Sequence, residues 1–457
     1  MNNADINPEE ILIEKKDENK INKYPRTFWV ANGVELLERA AFYAMFISIS
    51  VYLSRVVGYD DIWASIIGGL FSAGVYLLPM FVGALSDKMG FRLSIILAFA
   101  FQTIAYFTLA ALPYKLTVFP AYILLMIGGS FIKSLITGTV AKSTTASNRA
   151  KAFSIFYFIV NIGSFTGKTF AYPVRLELGI EAINFISAGL TFLALIAVFL
   201  YYKNIDLSHE GKTIKDTWNA LIKVFLKPRL IFLILIIAGF WMIQHQMYAS
   251  MPKYILRMVG EHAAPEWIAN INPAIVMVFV VMITNLMKKR KAITSLKVGL
   301  LIMPFSAICM ALGPWLETIT GSSISFGIFS MHPITLMMII GIAFQGIAEC
   351  FISPRYLEYF SLQAPKGEEG LYLGFSHLHS FFANLAGFFI SGFLLDAFCP
   401  DPLRADLINL PPEQLSTYYV NADIIWYVFA GVGFLSALSL IIYEKIVKKS
   451  DGKKNYD

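Results

Sequence analysis

The chain has 457 residues, of which 57% belong to the hydrophobic set and only 15% are charged, and its mean hydropathy is +0.62. A soluble domain carries about 25% charged residues to wet its surface, so this composition excludes a soluble enzyme. The net charge of +6 is spread over alternate loops, whereas a nucleic-acid-binding protein gathers its basic residues on one face.

Residues 1–26 are polar and lack the apolar core of a cleavable signal peptide; they read as a solvated cytoplasmic tail. Apolar runs then recur near 28–53, 62–85, 93–112, 118–141, 152–174 and 182–202. A second set runs near 230–256, 268–287, 296–315, 333–360, 370–395 and 424–446. A run of about 20 apolar residues crosses a hydrocarbon core of roughly 30 Å as a helix, and lipid cannot satisfy exposed backbone groups, so each must be helical. The reading is an all-α polytopic membrane protein with twelve transmembrane helices in two six-helix bundles, 27–202 and 230–447, followed by a cytoplasmic tail, 448–457. The connector 203–229 places Ile214, Trp218, Leu221, Ile222 and Phe225 at helical spacing among Lys212, Lys215, Lys223 and Lys227. That pattern predicts an amphipathic helix on the membrane surface.

Lysine and arginine concentrate before the first helix, in alternate loops, in the connector and in the tail, including the run Lys288-Lys289-Arg290-Lys291. The other loops carry few, chiefly Arg55, Lys115, Arg175, Arg257 and Arg404. This bias predicts that both termini are cytoplasmic. Cys309, Cys350 and Cys399 show no metal-ligand spacing and read as small apolar fillers.

Ionisable residues inside a membrane are costly and mark function. The first helix holds Glu35, Glu38 and Arg39 followed by Phe42 and Tyr43. Arg39 lies about 17 Å along that helix, near mid-membrane, and two acids around one base leave one free to take up and release a proton. Lys133 in the fourth helix and Glu349 in the tenth lie too deep to reach water. Opposite charges on the two halves suit a dipolar substrate bridging the cleft between them. Lys168, near the outer end of the fifth helix, reads as a snorkelling residue.

The fragment Gly83-Ala-Leu-Ser-Asp87-Lys88-Met-Gly90-Phe-Arg92 resembles the cytoplasmic loop signature of the major facilitator superfamily. Glu35-x-x-Glu38-Arg39 with Phe42-Tyr43 resembles the first-helix motif of the proton-dependent oligopeptide transporter family within it, and Phe153 to Ser164 resembles that family's second signature. Asn272-Pro273, Glu349 with Ser353-Pro354, Ala364-Pro365 and Gly374 extend the resemblance into the second half. It implies that Arg39, Lys133 and Asn161 hold a peptide carboxylate or take part in coupling. It further implies that Glu349 holds the amino terminus, Asn272 a backbone amide, and that Tyr43 and Tyr76 line the pocket.

Two positions depart from the family's pattern. Where a basic residue usually stands seven positions beyond the motif arginine, this chain has Phe46, and where the seventh helix usually has glutamate it has His245. Losing both members of an ion pair avoids a buried unpaired charge, which costs about 3–5 kcal/mol. The pair therefore reads as an aromatic–imidazole contact, with His245 a candidate proton switch.

The expected function is proton-coupled symport of di- and tripeptides by alternating access. The expected proton-coupling residues are Glu35, Glu38, Arg39, Lys133 and His245. The expected substrate residues are Arg39, Tyr43, Tyr76, Lys133, Asn161, Asn272 and Glu349. No cofactor or metal is expected, the proton gradient supplies the energy, and the carrier is expected to act as a monomer in the cell membrane without nucleic acid. The main alternative is transport of another zwitterionic or anionic small molecule on the same fold; a receptor or scramblase is a further one, though neither of these needs acids and bases buried on both halves. His377 and His379 are two apart on a helix and make a poor metal pair.

Overall fold

A computed structural model describes residues 24–144, 148–203, 225–363 and 369–454, with 215, 218, 219 and 222 in the connector. The tail over 1–23, most of the expected connector helix, residues 455–457 and Ala364-Pro365 lie outside the described residues, as do the side chains of 83–85, 87 and 88 in the loop signature.

Among the described residues twelve spans follow one another. In the first half they are Arg26–Val51, Asp61–Leu77 with Pro79–Met89, Phe91–Ala111, Lys115–Lys142, Arg149–Leu178 and Ile180–Tyr201. In the second they are Pro228–Gln244 with Gln246–Ala249 and Met251–Met258, Pro265–Ile268 with Ile271–Met287, and Ala292–Ala311. Pro333–Gln363, Glu369–Ser376 with Leu378–Phe398, and Ile424–Lys454 complete them. Eleven of the described helices are long and apolar enough to cross a membrane. The remaining one, the fifth span, has the length but carries Asn161, Lys168, Arg175 and Glu177, charged and polar residues that lower its apolar character.

The two halves pack alike. Spans 1 and 5, 1 and 6, 3 and 4, 3 and 6, and 2 and 4 are neighbours, and so are spans 7 and 11, 7 and 12, 9 and 10, 9 and 12, and 8 and 10. Adding six to each number maps one set onto the other, which is the parallel repeat of a two-bundle carrier fold. Across the halves, span 2 lies along span 11 and span 5 meets span 8, again a symmetric pair.

Local chemistry sets the breaks. Pro79 has no N–H for the preceding turn, and the second span divides just before it. At the start of that span Asp60 caps the helix, accepting from the Trp63 N–H at 2.7 Å. Pro273 cannot donate to the Ala269 carbonyl four residues earlier, which leaves that acceptor open for a partner from elsewhere.

Close helix approach needs small residues. A Cβ on Gly167 would stand 2.2 Å from the Ala40 carbonyl oxygen, and one on Gly163 would stand 2.7 Å from the Arg39 Cβ. This glycine pair, one turn apart on the fifth span, lets the first span approach backbone to backbone and fixes where Arg39 sits. Gly167→Ala should therefore destabilise the protein by about 1–3 kcal/mol through overpacking. The check is thermal unfolding in detergent; an unchanged midpoint would contradict the close contact.

Candidate functional site

In the first half, Arg39 lies between two acids of its own helix. Its Nε stands 3.1 Å from Glu35 Oε1 and a terminal nitrogen 2.5 Å from Glu38 Oε2. Glu38 is held a second time by Gln102 of the third span, whose amide donates to Oε1 at 3.0 Å. Among the described residues Glu35 has no such second hydrogen-bond partner. The two acids thus differ: Glu38 is doubly fixed and Glu35 is singly paired. Lys133 of the fourth span stands over the Tyr76 ring at 4.2 Å and has no carboxylate within ion-pair distance among the described residues.

In the second half, Glu349 accepts through one oxygen only. The amides of Gln244 in the seventh span and Asn272 in the eighth both donate to Oε2, at 3.0 and 3.1 Å. The other carboxylate oxygen stays uncommitted. Lys168 completes this group from the opposite half, and here the sequence reading is corrected. The side chain does not snorkel: it is 1% exposed, because the amine meets the Ala269 carbonyl freed by Pro273, at 3.3 Å. It also stands 5.6 Å from the Tyr43 ring and within Coulombic reach of Glu349. Three cations (Arg39, Lys133, Lys168) then face three acids (Glu35, Glu38, Glu349).

Tyr43 and Tyr76 are half-buried and lie in the field of both Arg39 and Glu349, between the two charged groups. Asn161 is half-buried, and its amide donates to the Tyr157 carbonyl one turn back, at 2.8 Å, which leaves it a second N–H and its carbonyl oxygen. The expected Phe46–His245 contact is not what forms. Phe46 packs on Tyr248 at 4.5 Å and Phe42 at 5.2 Å, whereas His245 meets Trp241 at 5.6 Å and Tyr76 at 6.0 Å. The seventh span breaks at His245, and Tyr248 in the next turn takes the place beside Phe46.

Polar contacts between the halves gather at the end distal to the termini. Asp61 receives Lys253 at 2.7 Å and both terminal nitrogens of Arg257 at 2.8 Å, and Arg257 also reaches Asp401 at 3.0 Å. Arg175 pairs with Glu266 at 2.6 Å and donates to the Glu261 and Ala263 carbonyls. Arg55 meets Glu261 at 2.6 Å. Arg175 and Arg257 counted as sparse loop cations in the sequence, yet both are sequestered here, with side chains 5% and 1% exposed. Gln102, Gln244 and Lys168 are likewise absent from the sequence-based set; the only signal was a polar residue inside an apolar run.

A groove of about 1060 Å³ lies between spans 7, 11 and 12 and is lined by outward-facing apolar residues such as Phe232 and Leu435. It is a lipid-side feature remote from these charges.

A sequence profile of the Major Facilitator Superfamily matches residues 34–328. The multidrug resistance protein MdtH of Cronobacter sakazakii is 23% identical, over 78% of this chain and 83% of its own. A dipeptide and tripeptide permease B from Shigella dysenteriae is 25% identical, over 51% of this chain and 48% of its own. Among solved structures, the POT family transporter PepTSo superposes with a TM-score of 0.72 at 17% identity, covering 93% of this chain and 99% of that one. A POT family transporter in complex with 5-aminolevulinic acid gives 0.68 at 16% identity, covering 91% and 97%.

Proposed function

Because the chain belongs to the major facilitator superfamily, we propose that it is a proton-coupled symporter of di- and tripeptides working by alternating access. One observation carries the reading: among the described residues each half holds an uncommitted charge of opposite sign, Lys133 with no carboxylate within ion-pair distance and Glu349 with hydrogen bonds to one oxygen only. A zwitterionic peptide supplies the missing partner to each, its carboxylate to Lys133 and Arg39, its ammonium to Glu349. Asn272 and Gln244 hold Glu349 in place, and Tyr43 and Tyr76 flank the path between the two ends. The likeness in fold to peptide transporters and the partial match to peptide permeases support the same substrate class.

The distal ion pairs close one end of the molecule, so this state faces the end bearing the termini. With the loop charge bias placing the termini in the cytoplasm, it is an inward-facing state of a monomer in the cell membrane. It uses no cofactor and draws on the proton gradient.

Proton coupling falls to Glu35. Its single contact to Arg39 is the one that protonation breaks, which frees the guanidinium for substrate; Glu38, fixed twice, stays as the permanent counter-charge. Glu35→Gln should abolish accumulation of labelled dialanine in proteoliposomes with an imposed pH gradient while retaining counterflow exchange. Glu35→Gln accumulating dialanine like the wild type would rule out this assignment. Absence of uptake of every di- and tripeptide by the wild type would overturn the peptide reading itself. A second reading, export of an amphipathic drug, has the longer match to MdtH in its favour; it predicts binding of apolar cations that ignores Glu349 and Lys133.

A further inference from the structure

Three histidines gather beside Lys133, and the transport cycle described above uses none of them. His245 stands where the seventh span breaks, and His377 where the eleventh divides between Glu369–Ser376 and Leu378–Phe398. His379 follows two residues on, its Nδ1 hydrogen-bonded with the Ser376 carbonyl at 2.5 Å. The Trp241 ring lies between His245 at 5.6 Å and His379 at 5.2 Å, and His377 is 6.2 Å from His379. All three lie within the field of Lys133, and Tyr76 bridges the ammonium to His245.

Both ring nitrogens of His245 are buried with no hydrogen-bond partner. A buried polar group in that condition loses its hydration without compensation, so something that accepts a hydrogen bond belongs there in another state of the cycle. No metal-holding group occurs among the described residues, which removes that explanation for the cluster. What remains is donors: a neutral imidazole offers one N–H, and the ammonium offers three. A single carboxylate has two oxygens, and Arg39 already competes for them.

We infer that His245, His377 and His379 with Lys133 form an anion subsite for a second acidic group beside the substrate carboxylate, so that the carrier prefers dipeptides ending in aspartate or glutamate. The inference rests on the peptide reading of this same site. The side-chain carboxylate lies between Lys133 and the imidazoles, while Arg39 and another N–H of Lys133 keep the main-chain one. His379, tied through Nδ1, contributes its Nε2 edge and orients the Trp241 ring that His245 packs against.

The test compares uptake of Ala-Glu and Ala-Gln in proteoliposomes under one pH gradient, since the two differ in charge and hardly in shape. The wild type should favour Ala-Glu in kcat/KM by roughly tenfold, the worth of one buried hydrogen bond to a charged group. His245→Phe, which keeps the ring and removes its nitrogens, should bring the ratio close to one, and His245→Asn should restore part of it. His377→Phe, at a half-buried position, gives the same reading if His245→Phe does not reach the membrane. Equal uptake of the two peptides by the wild type overturns the subsite and leaves peptide transport standing. A preference unchanged in both phenylalanine variants also overturns it. Uptake of neither peptide would instead fail the peptide reading.

Discussion

Lys133→Ala and Glu349→Ala should each cut peptide-driven flux by at least about a hundredfold, because each removes one charge-assisted contact worth about 3 kcal/mol from the substrate. The two variants should differ in stability, which separates binding from architecture. Among the described residues Lys133 has no carboxylate within ion-pair distance, so its loss orphans no ion-pair partner there, and the melting temperature should not fall. Glu349 satisfies the amides of Gln244 and Asn272, so its loss strands two donors and should lower the melting temperature. Glu349→Gln, which keeps an acceptor for those amides but has no charge, should recover the stability without recovering transport. Flux from Lys133→Ala or Glu349→Ala equal to wild type would remove both residues from the site.

Asp61→Asn is the second large effect. Asp61 is the acid shared by Lys253 and Arg257, with all three side chains 1–2% exposed. Removing its charge leaves two adjacent buried cations, with Asp401 reaching only Arg257. Breaking a buried pair in this way costs about 3–5 kcal/mol, and here the penalty falls on the closed distal end, since Asp61 sits on the first half and its partners on the second. The population should therefore shift toward the state open at that end. Ser54→Cys, placed where Lys253 donates to the Ser54 hydroxyl at 2.5 Å, should react with a membrane-impermeant maleimide much faster in the Asp61→Asn background. Concentrative uptake should fall because the distal end no longer closes. Equal labelling rates in the two backgrounds would show that this triad does not hold the distal end closed.

Those two predictions draw on different kinds of information. Lys133 and Glu349 were legible from residue order, since a charge deep in an apolar run has few structural explanations. Asp61, Lys253 and Arg257 were not: each lies near a helix end, where a sequence places charged residues in water. Their burial comes from the second, seventh and eleventh spans converging at one end. Lys168 shows the same limit more sharply. Its fate turns on a carbonyl that Pro273 leaves open, 105 residues later in the sequence, and no local pattern links the two. Phe46 and His245 failed as a pair because depth along a helix predicts height but not facing, and the turn after the break at His245 brings Tyr248 to Phe46 instead.

By itself the sequence determined the membrane class, the twelve spans, their division into two sets and the acids and bases that must lie inside, because the cost of exposing backbone or charge to lipid acts residue by residue. Which acid holds which base was decided only by the tertiary structure. Ion pairing depends on distances of a few ångströms between side chains from different helices, and those distances are set by helix packing, by glycine approaches such as Gly167 on Ala40, and by proline breaks. Glu35, Glu38 and Arg39 straddle the division. Their helical spacing announced a cluster, but only the third span, by bringing Gln102 to Glu38, gave one acid a second partner and left the other paired to Arg39 alone.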